Sequence, residues 1–254
     1  MTQSKHRVFS FSAIKDFEQC PKKYHDTRVL KLYPVEQSEE AKWGDYVHKC
    51  FEDHLMRGVP LPDNVSQYQP LMDAVHQRRA AGWRAVCELG FGVGMVNPHQ
   101  AKLSGQPSIW WDEALDIAGY IDLLMLSPDK TQAVIVDWKT NKSSKYADVK
   151  QLELYAYAIL RAIPTVQRVE GSLVFLNDNF KMVKTTVERS DMQRLQFYWF
   201  QKHAAINSAF AIEPELGFKP GEYTPLCGWC PCSDCDNWQQ GQDFRARRDK
   251  KGRA

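Results

Sequence analysis

The chain has 254 residues, 43% hydrophobic and 25% charged, enough for one large domain, alone or with an appendage, around a sizeable core. A net charge of +2 excludes a strongly basic nucleic-acid coat, although Arg245, Arg247, Arg248, Lys250, Lys251 and Arg253 crowd the last ten residues. No apolar run approaches the ~20 residues of a membrane span, and the opening MTQSKHRVFSFS lacks a signal peptide's apolar core, so the chain reads as soluble and intracellular.

Within 9–30, Ser12 is placed to cap a short helix with Ile14 and Phe17 on its inner side, and Cys20-Pro21 ends it before another turn begins. A helix is predicted over 41–55, where Trp43, Val47, Phe51 and Leu55 form a packing stripe with His48 at its border. Gly44, one turn before His48, leaves room for a metal or a strand to approach. Residues 57–70 read as a Pro-bearing loop. The stretch 71–89 reads as a helix ended by Glu88, a distant carboxylate with no local reason to join a site. Residues 90–112 are Gly-rich and aromatic, with Trp110 and Trp111 expected to begin a strand.

The centre of the chain is 119–157, read as strand, turn, strand, loop, helix. Apolar runs at 117–126 and 133–138 flank Ser127-Pro128-Asp129-Lys130, a turn signal. Alternation puts Ala133, Ile135, Asp137 and Lys139 on one face and Val134, Val136 and Trp138 on the other. If the runs pair as a hairpin, Asp122 comes near Asp137. An acid and a lysine closing a mostly apolar face must pair or meet a metal. Two carboxylates suit Mg2+ or Mn2+, and a lysine beside them suits phosphodiester hydrolysis, orienting water and stabilising growing negative charge. Asp-Xaa-Lys by itself is more often an ordinary salt-bridged pair, so the surroundings decide.

The loop 140–145 is polar and basic, placed to meet phosphate, and 147–162 makes a helix on which Gln151 and Tyr155 share a face. Residues 168–189 resemble a hairpin turning at Asn177-Asp178-Asn179. Ser190-Asp191-Met192-Gln193 fits a capping box opening a helix to about Ala209, and 214–225 is a linker rich in Pro and Gly. There is no internal repeat and no Gly-rich phosphate loop, so no ATP motor is indicated.

Of seven cysteines, four lie in CGWCPCSDC, and this clustering in an intracellular chain argues for a soft-metal site over a disulfide framework. Two ligand sets compete: the four local thiolates around Zn2+, or Cys227, Cys230 and Cys235 with remote Cys20, leaving Cys232 spare. The second set clips the two ends of the domain together, so that its metal free energy becomes folding free energy.

Taken in order, Ser12…Phe17-xx-Cys20-Pro21-xx-Tyr24, Gly44-xxx-His48, Gly119-xx-Asp122, Asp137-Trp-Lys139-Thr140, Gln151-xxx-Tyr155 and Cys227-xx-Cys230…Cys235 resemble the RecB-like branch of the PD-(D/E)XK nuclease superfamily. They are closest to its iron–sulfur group of CRISPR-associated and phage-encoded nucleases. The gap from Cys230 to Cys235 departs from that group in being four residues where five is common. The resemblance implies an α/β, restriction-endonuclease-like fold: a mixed central sheet flanked by helices, its N- and C-terminal segments joined by a metal cluster. It implies a single nuclease domain over 1–240, Cys20 and 227–235 forming the cluster lobe, followed by a basic, flexible tail at 241–254. It implies Mg2+ or Mn2+ on His48, Asp122, Asp137 and the Trp138 carbonyl, catalysis by Asp122, Asp137 and Lys139, and a site completed by Gln151 and Tyr155. It also implies a 4Fe–4S cluster on Cys20, Cys227, Cys230 and Cys235, with Zn2+ as the alternative.

The expected function is metal-dependent cleavage of DNA, as an exonuclease at ends or single strands in recombination, repair or phage DNA metabolism. DNA is then the partner, beside a homo-oligomer or recombination-complex partner. The expected place is the cytoplasm, that of the host if the chain is viral. The rival readings are a non-catalytic DNA-binding or adaptor subunit of a recombination or CRISPR integration complex, and a zinc-stabilised endonuclease. The basic loop and tail would supply sequence-independent phosphate contacts.

Overall fold

In the computed structural model, which describes residues 6–33, 37–97, 100–105, 107–145 and 147–251, the two central apolar runs form the predicted antiparallel hairpin, Ile117–Leu126 against Gln132–Lys139. Its turn is held by Asp129, whose carboxylate accepts from the Ser127 and Thr131 hydroxyls and the Thr131 N–H. In chain order the helices are α1 (Phe11–Gln19), α2 (Pro21–Tyr24), α3 (Glu39–Arg57), α4 (Gln69–Ala80), α5 (Lys150–Ala162), α6 (Met192–Phe210), α7 (Pro214–Gly217) and α8 (Asp236–Lys251). The strands are β1 (Arg84–Val93), β2 (Ala101–Ser104), β3 (Ile117–Leu126), β4 (Gln132–Lys139), β5 (Arg168–Phe175) and β6 (Lys181–Glu188).

The chain divides into two compact units, Gln37–Gln201 and the discontinuous pair Met1–Glu36 with Lys202–Ala254. In the first, the described strands form one mixed sheet in the order β2-β1-β3-β4-β5-β6. Only β4 and β5 run parallel, joined by the crossover helix α5. One sheet face, with Leu123, Met125, Val136 and Trp138, packs on Val47, Phe51 and Leu55 of α3 and Met72 and Val75 of α4. Helix α5 is also part of this unit's core: Leu152, Leu154, Tyr155, Ala156 and Ile159 are buried, and Leu152 lies against Gly171 of β5.

Local chemistry accounts for the boundaries. Ser38 caps α3 by accepting from the Ala41 N–H, and Gly58, at φ +71°, ends it with the Gly58 and Val59 N–H groups returned to His54 and Asp53 carbonyls. At the far end of α5, Arg189 donates to the Leu160, Ile163 and Val166 carbonyls, three acceptors with no helical partner.

Several expectations are corrected. The predicted helix 71–89 stops at Ala80: Gly82 adopts φ +87°, a turn follows, and the chain re-enters as β1. Residues 90–112 hold the end of β1, then β2 and a 3-10 turn over Pro107–Trp111, so Trp110 and Trp111 precede the strand rather than begin it. Ser10, not Ser12, caps α1, and the capping box before α6 is Glu188 with Asp191, two residues earlier than predicted. Residues 241–251 of the basic end continue α8. Among the described residues no helix is long and apolar enough to cross a membrane.

Candidate active site

The hairpin ladder stops at Leu123 with Val136, and the next backbone donor, the Trp138 N–H, is taken by Asp122 Oδ2 at 2.7 Å. Asp122 is thereby fixed beside Asp137, which is 2% exposed. Asp137 Oδ2 meets the Lys139 ammonium at 2.6 Å, across the same strand face that alternation assigned them. Lys139 Nζ also donates to Gln151 Oε1 at 2.9 Å, and Gln151 Nε2 donates to the Tyr155 hydroxyl at 2.5 Å. A charged chain therefore runs from β4 to one face of α5. Its last member is set by packing: Tyr155 meets the Phe91 ring edge-on, and Phe91 occupies the space over Gly119, where a Cβ would come within 2.9 Å of it.

His48 reaches the same place from α3. Its Nε2 donates to the Trp138 carbonyl at 3.0 Å, which leaves Nδ1 with the lone pair. Nδ1 lies 3.5 Å from Asp122 Oδ2 and 3.9 Å from Glu88 Oε1. Of the two approaches expected over Gly44, the one seen is the end of the strand: Thr140 Oγ1 would be 3.1 Å from an added Cβ.

Glu88 is the site residue that the sequence reading placed apart. It lies on β1 between the pairs Cys87–Leu123 and Leu89–Ile121, hence opposite Asp122, with φ +48°. A left-handed backbone is costly for a side chain other than glycine, and such strain gathers at functional positions. Reading 84–93 with a period of two, after a breaking Gly82, was the signal that would have found it.

One ligand atom each from His48, Glu88 and Asp122 lies within 4.8 Å of the others, the one such group of His, Cys, Asp and Glu among the described residues. Burial first, then the charges of Glu52 and Asp137, push the Glu88 carboxyl up to about 7. Burial and the Asp137 charge raise Asp122 well above the usual carboxylate range, while burial lowers His48. Two crowded carboxylates and an imidazole lone pair converge, and only protons or a cation reconcile them. The donor set fits an oxygen-preferring divalent ion. Asp137 lies outside the three-atom group and acts on it through charge.

The basic loop is held at its base: Asp178 Oδ2 accepts from the Ser144 N–H and hydroxyl, and Asn177 donates to the Thr140 carbonyl. A groove of about 790 Å³ lined by Trp43, Trp138, Lys139, Thr140 and Lys142 opens beside it, with Glu39 and Glu40 also on its wall.

In the other unit, Cys20, Cys227, Cys230, Cys232 and Cys235 line one cavity of about 250 Å³. Cys20 caps α2 through its sulfur, which accepts from the Lys23 N–H at 3.4 Å and from the Gly221 N–H at 3.3 Å. The approach of Gly221 needs a glycine, since a Cβ would stand 2.9 Å from the Gln19 carbonyl. Lys22 bridges Asp26 and Asp234 at 2.7 and 3.0 Å, and Tyr33 donates to Asp234, tying the cysteine loop to the N-terminal helices. Cysteines around one cavity, with backbone N–H groups aimed at the Cys20 sulfur, are residues that could hold a thiolate-bound metal.

No curated protein sequence matches the chain. A solved structure titled "Crystal structure of SSO0001" is similar, at 11% identity over 92% of this chain and 88% of that one, with a TM-score of 0.37. The family model described as the PD-(D/E)XK nuclease superfamily matches residues 8–235. With nearly the whole chain matched and its acid–lysine site assembled on the hairpin, the chain belongs to the PD-(D/E)XK nuclease superfamily.

Proposed function

We propose that the chain is a Mg2+- or Mn2+-dependent deoxyribonuclease of the RecB-like, iron–sulfur kind, an exonuclease acting at DNA ends or single strands in recombination, repair or phage DNA metabolism. The observation that carries this reading is the facing of two groups: His48, Glu88 and Asp122 on one side, and Asp137 with Lys139 on the other. His48, Asp122 and Asp137 would hold the ion, joined by Glu88 and by the Trp138 carbonyl, which has a second lone pair beyond its bond to His48. Such an ion supplies an acidified water and charge neutralisation at phosphate.

The protein's own residues do the rest. Lys139, the only cation in the Asp137–Gln151 chain described above, presents its ammonium to the scissile phosphate and offsets the charge that grows there. Asp137 and Gln151 hold that ammonium from two sides, so its direction is set before substrate arrives. Tyr155, buried and held protonated by burial and by the Asp137 and Asp122 charges, keeps Gln151 in place. Lys142 and Lys145 stand exposed on the pinned loop, where they can meet the DNA backbone irrespective of sequence.

In the terminal unit, Cys20, Cys227, Cys230 and Cys235 would hold a 4Fe–4S cluster of structural role, with Cys232 beside it. Zn2+ on thiolates of the same cavity is the alternative occupant. The cysteine-rich lobe suits a reducing compartment such as the cytoplasm.

The test is cleavage of end-labelled single- and double-stranded DNA with Mg2+, Mn2+ or EDTA, using protein purified without oxygen. Metal-dependent shortening from one end is expected, abolished in Asp137→Ala and Lys139→Ala. DNA binding without cleavage by the cluster-loaded protein would transfer the chain to the adaptor class.

A further inference from the structure

A second constellation lies on α3 and α4 and takes no part in the nuclease site. His54, in the last turn of α3, and His76, on α4, face one another with their Nε2 atoms 3.3 Å apart and their ring centroids at 5.3 Å. His54 Nδ1 lies 2.9 Å from the Val59 carbonyl. An acceptor there makes Nδ1 the protonated nitrogen, so the lone pair of His54 is on Nε2, directed at His76. A ring N–H returned to a backbone carbonyl is the arrangement that orients metal-ligating histidines. The Val59 carbonyl is itself fixed, because it follows the Gly58 stop that closes α3.

The spacing is informative. Two nitrogens bound to one tetrahedral zinc at 2.0–2.1 Å stand about 3.3 Å from each other. The two rings therefore need no helix movement to share an ion: Val47, Phe51 and Leu55 of α3 and Met72 and Val75 of α4 already sit in one core cluster. Without an ion, the same distance is bridged by the His76 Nε2–H donating to His54 Nε2. Binding moves that proton to His76 Nδ1 and leaves both Nε2 lone pairs for the metal. The neighbouring acids are engaged elsewhere, Asp53 with Lys49 and Arg57 and Asp73 with Gln69, so water would fill the remaining positions.

We propose that His54 and His76 form a two-histidine clamp for a borderline-soft divalent transition metal such as Zn2+, Cu2+ or Ni2+, linking α3 to α4. Imidazole pairs select these ions over Mg2+, and any zinc taken by the His48–Glu88–Asp122 group is common to variants at His54 and His76. Because α3 also carries His48, an ion in the clamp would stiffen the helix that supplies a ligand to the other site.

The experiment is equilibrium dialysis against Zn2+ with Mg2+ in excess, counting zinc per chain in the wild type, His76→Gln, His54→Gln and the double variant. Zinc at the cysteine lobe is common to all four and cancels. The wild type is expected to hold one zinc more than either single variant, the double variant to lose no more than a single one, and the zinc-dependent rise in melting temperature to vanish with it. His76→Gln is decisive, since it leaves the Val59 cap on His54 intact. Cu2+ in the wild type is expected to show two-nitrogen hyperfine coupling that His76→Gln reduces to one. Equal zinc content and equal melting response in the wild type and His76→Gln would overturn the clamp.

Discussion

Glu88 stands across the β1–β3 ladder from Asp122, in a left-handed conformation that strands rarely accept, and both carboxyls face the Nδ1 of His48. The sheet thus stores backbone strain and electrostatic repulsion at one point. That combination is expected where a cation is to be received rather than where a fold is to be stabilised.

This sets apart two effects of one substitution. Glu88→Gly removes a backbone penalty of about 1–3 kcal/mol and a half-buried acid, at an entropic cost of about 0.5–1 kcal/mol for the added glycine. The metal-free variant is expected to melt at or above the wild-type temperature while cleaving DNA about 100-fold more slowly. A variant that is less stable and fully active would show that Glu88 serves the fold alone.

The same crowding gives a pH signature. In the folded, metal-free chain, Glu88 is raised to about 7 and Asp122 is also raised, so both bind protons that the unfolded chain has released. The contribution of Glu88 is complete below the ordinary carboxylate range and is lost as pH climbs through about 7, and that of Asp122 has the same sign. His48, lowered by burial, acts in the opposite sense below its ordinary value. A divalent ion must displace the carboxyl protons, so stabilisation by Mn2+ should be larger at about pH 8 than at about pH 5.5. Glu88→Gln should flatten this difference; an equal Mn2+ shift at both pH values in the wild type speaks against Glu88 as a ligand.

Lys139 and Gln151 should behave as one device. Lys139→Met is expected to lower kcat by about 100- to 1,000-fold yet keep the Mn2+-induced rise in melting temperature, because its nitrogen is no metal ligand. Gln151→Leu should cost less, and the double variant should be no slower than Lys139→Met. Losses that multiply in the double variant would mean that Gln151 touches substrate independently.

Arg189 tests the scaffold apart from the chemistry. Truncation to alanine leaves three carbonyls around the end of α5 without their charged donor and should lower the unfolding free energy by about 2–3 kcal/mol in urea titrations. Lysine should restore only part of this, since a single ammonium does not reproduce the guanidinium fork. An unchanged midpoint in Arg189→Ala would show that solvent satisfies those carbonyls equally well.

Much of this arrangement was legible in the residues. The 127–130 turn and the alternation through Asp137 and Lys139 specify the hairpin and its charged face, because strand periodicity and turn chemistry are local. The i, i+4 spacing of Gln151 and Tyr155 specifies their common face in the same way. Cys20 and all four distal cysteines line one cavity, which does not choose between the two competing ligand sets. Glu88 is harder to read, since the apolar residues of 71–89 also fit a helical stripe and the period-two strand pattern emerges only after the left-handed Gly82. Its role depends on β1 pairing with a strand more than twenty residues away, and no local pattern encodes that partner. The displaced caps at Ser10 and Glu188 are smaller misses of the same origin: several polar residues near a helix start compete, and tertiary contacts choose among them.

The terminal unit is assembled from the first helices and the last ones, with all of Gln37–Gln201 synthesised between them. On the ribosome, the sheet-bearing unit can complete its core while α1 and α2 still await their partners. Cys20 therefore meets the distal cysteines of its cavity only when the chain is almost finished. Assembly of this lobe is thus a late event, in which the first helices meet the last ones after the sheet has its full set of strands.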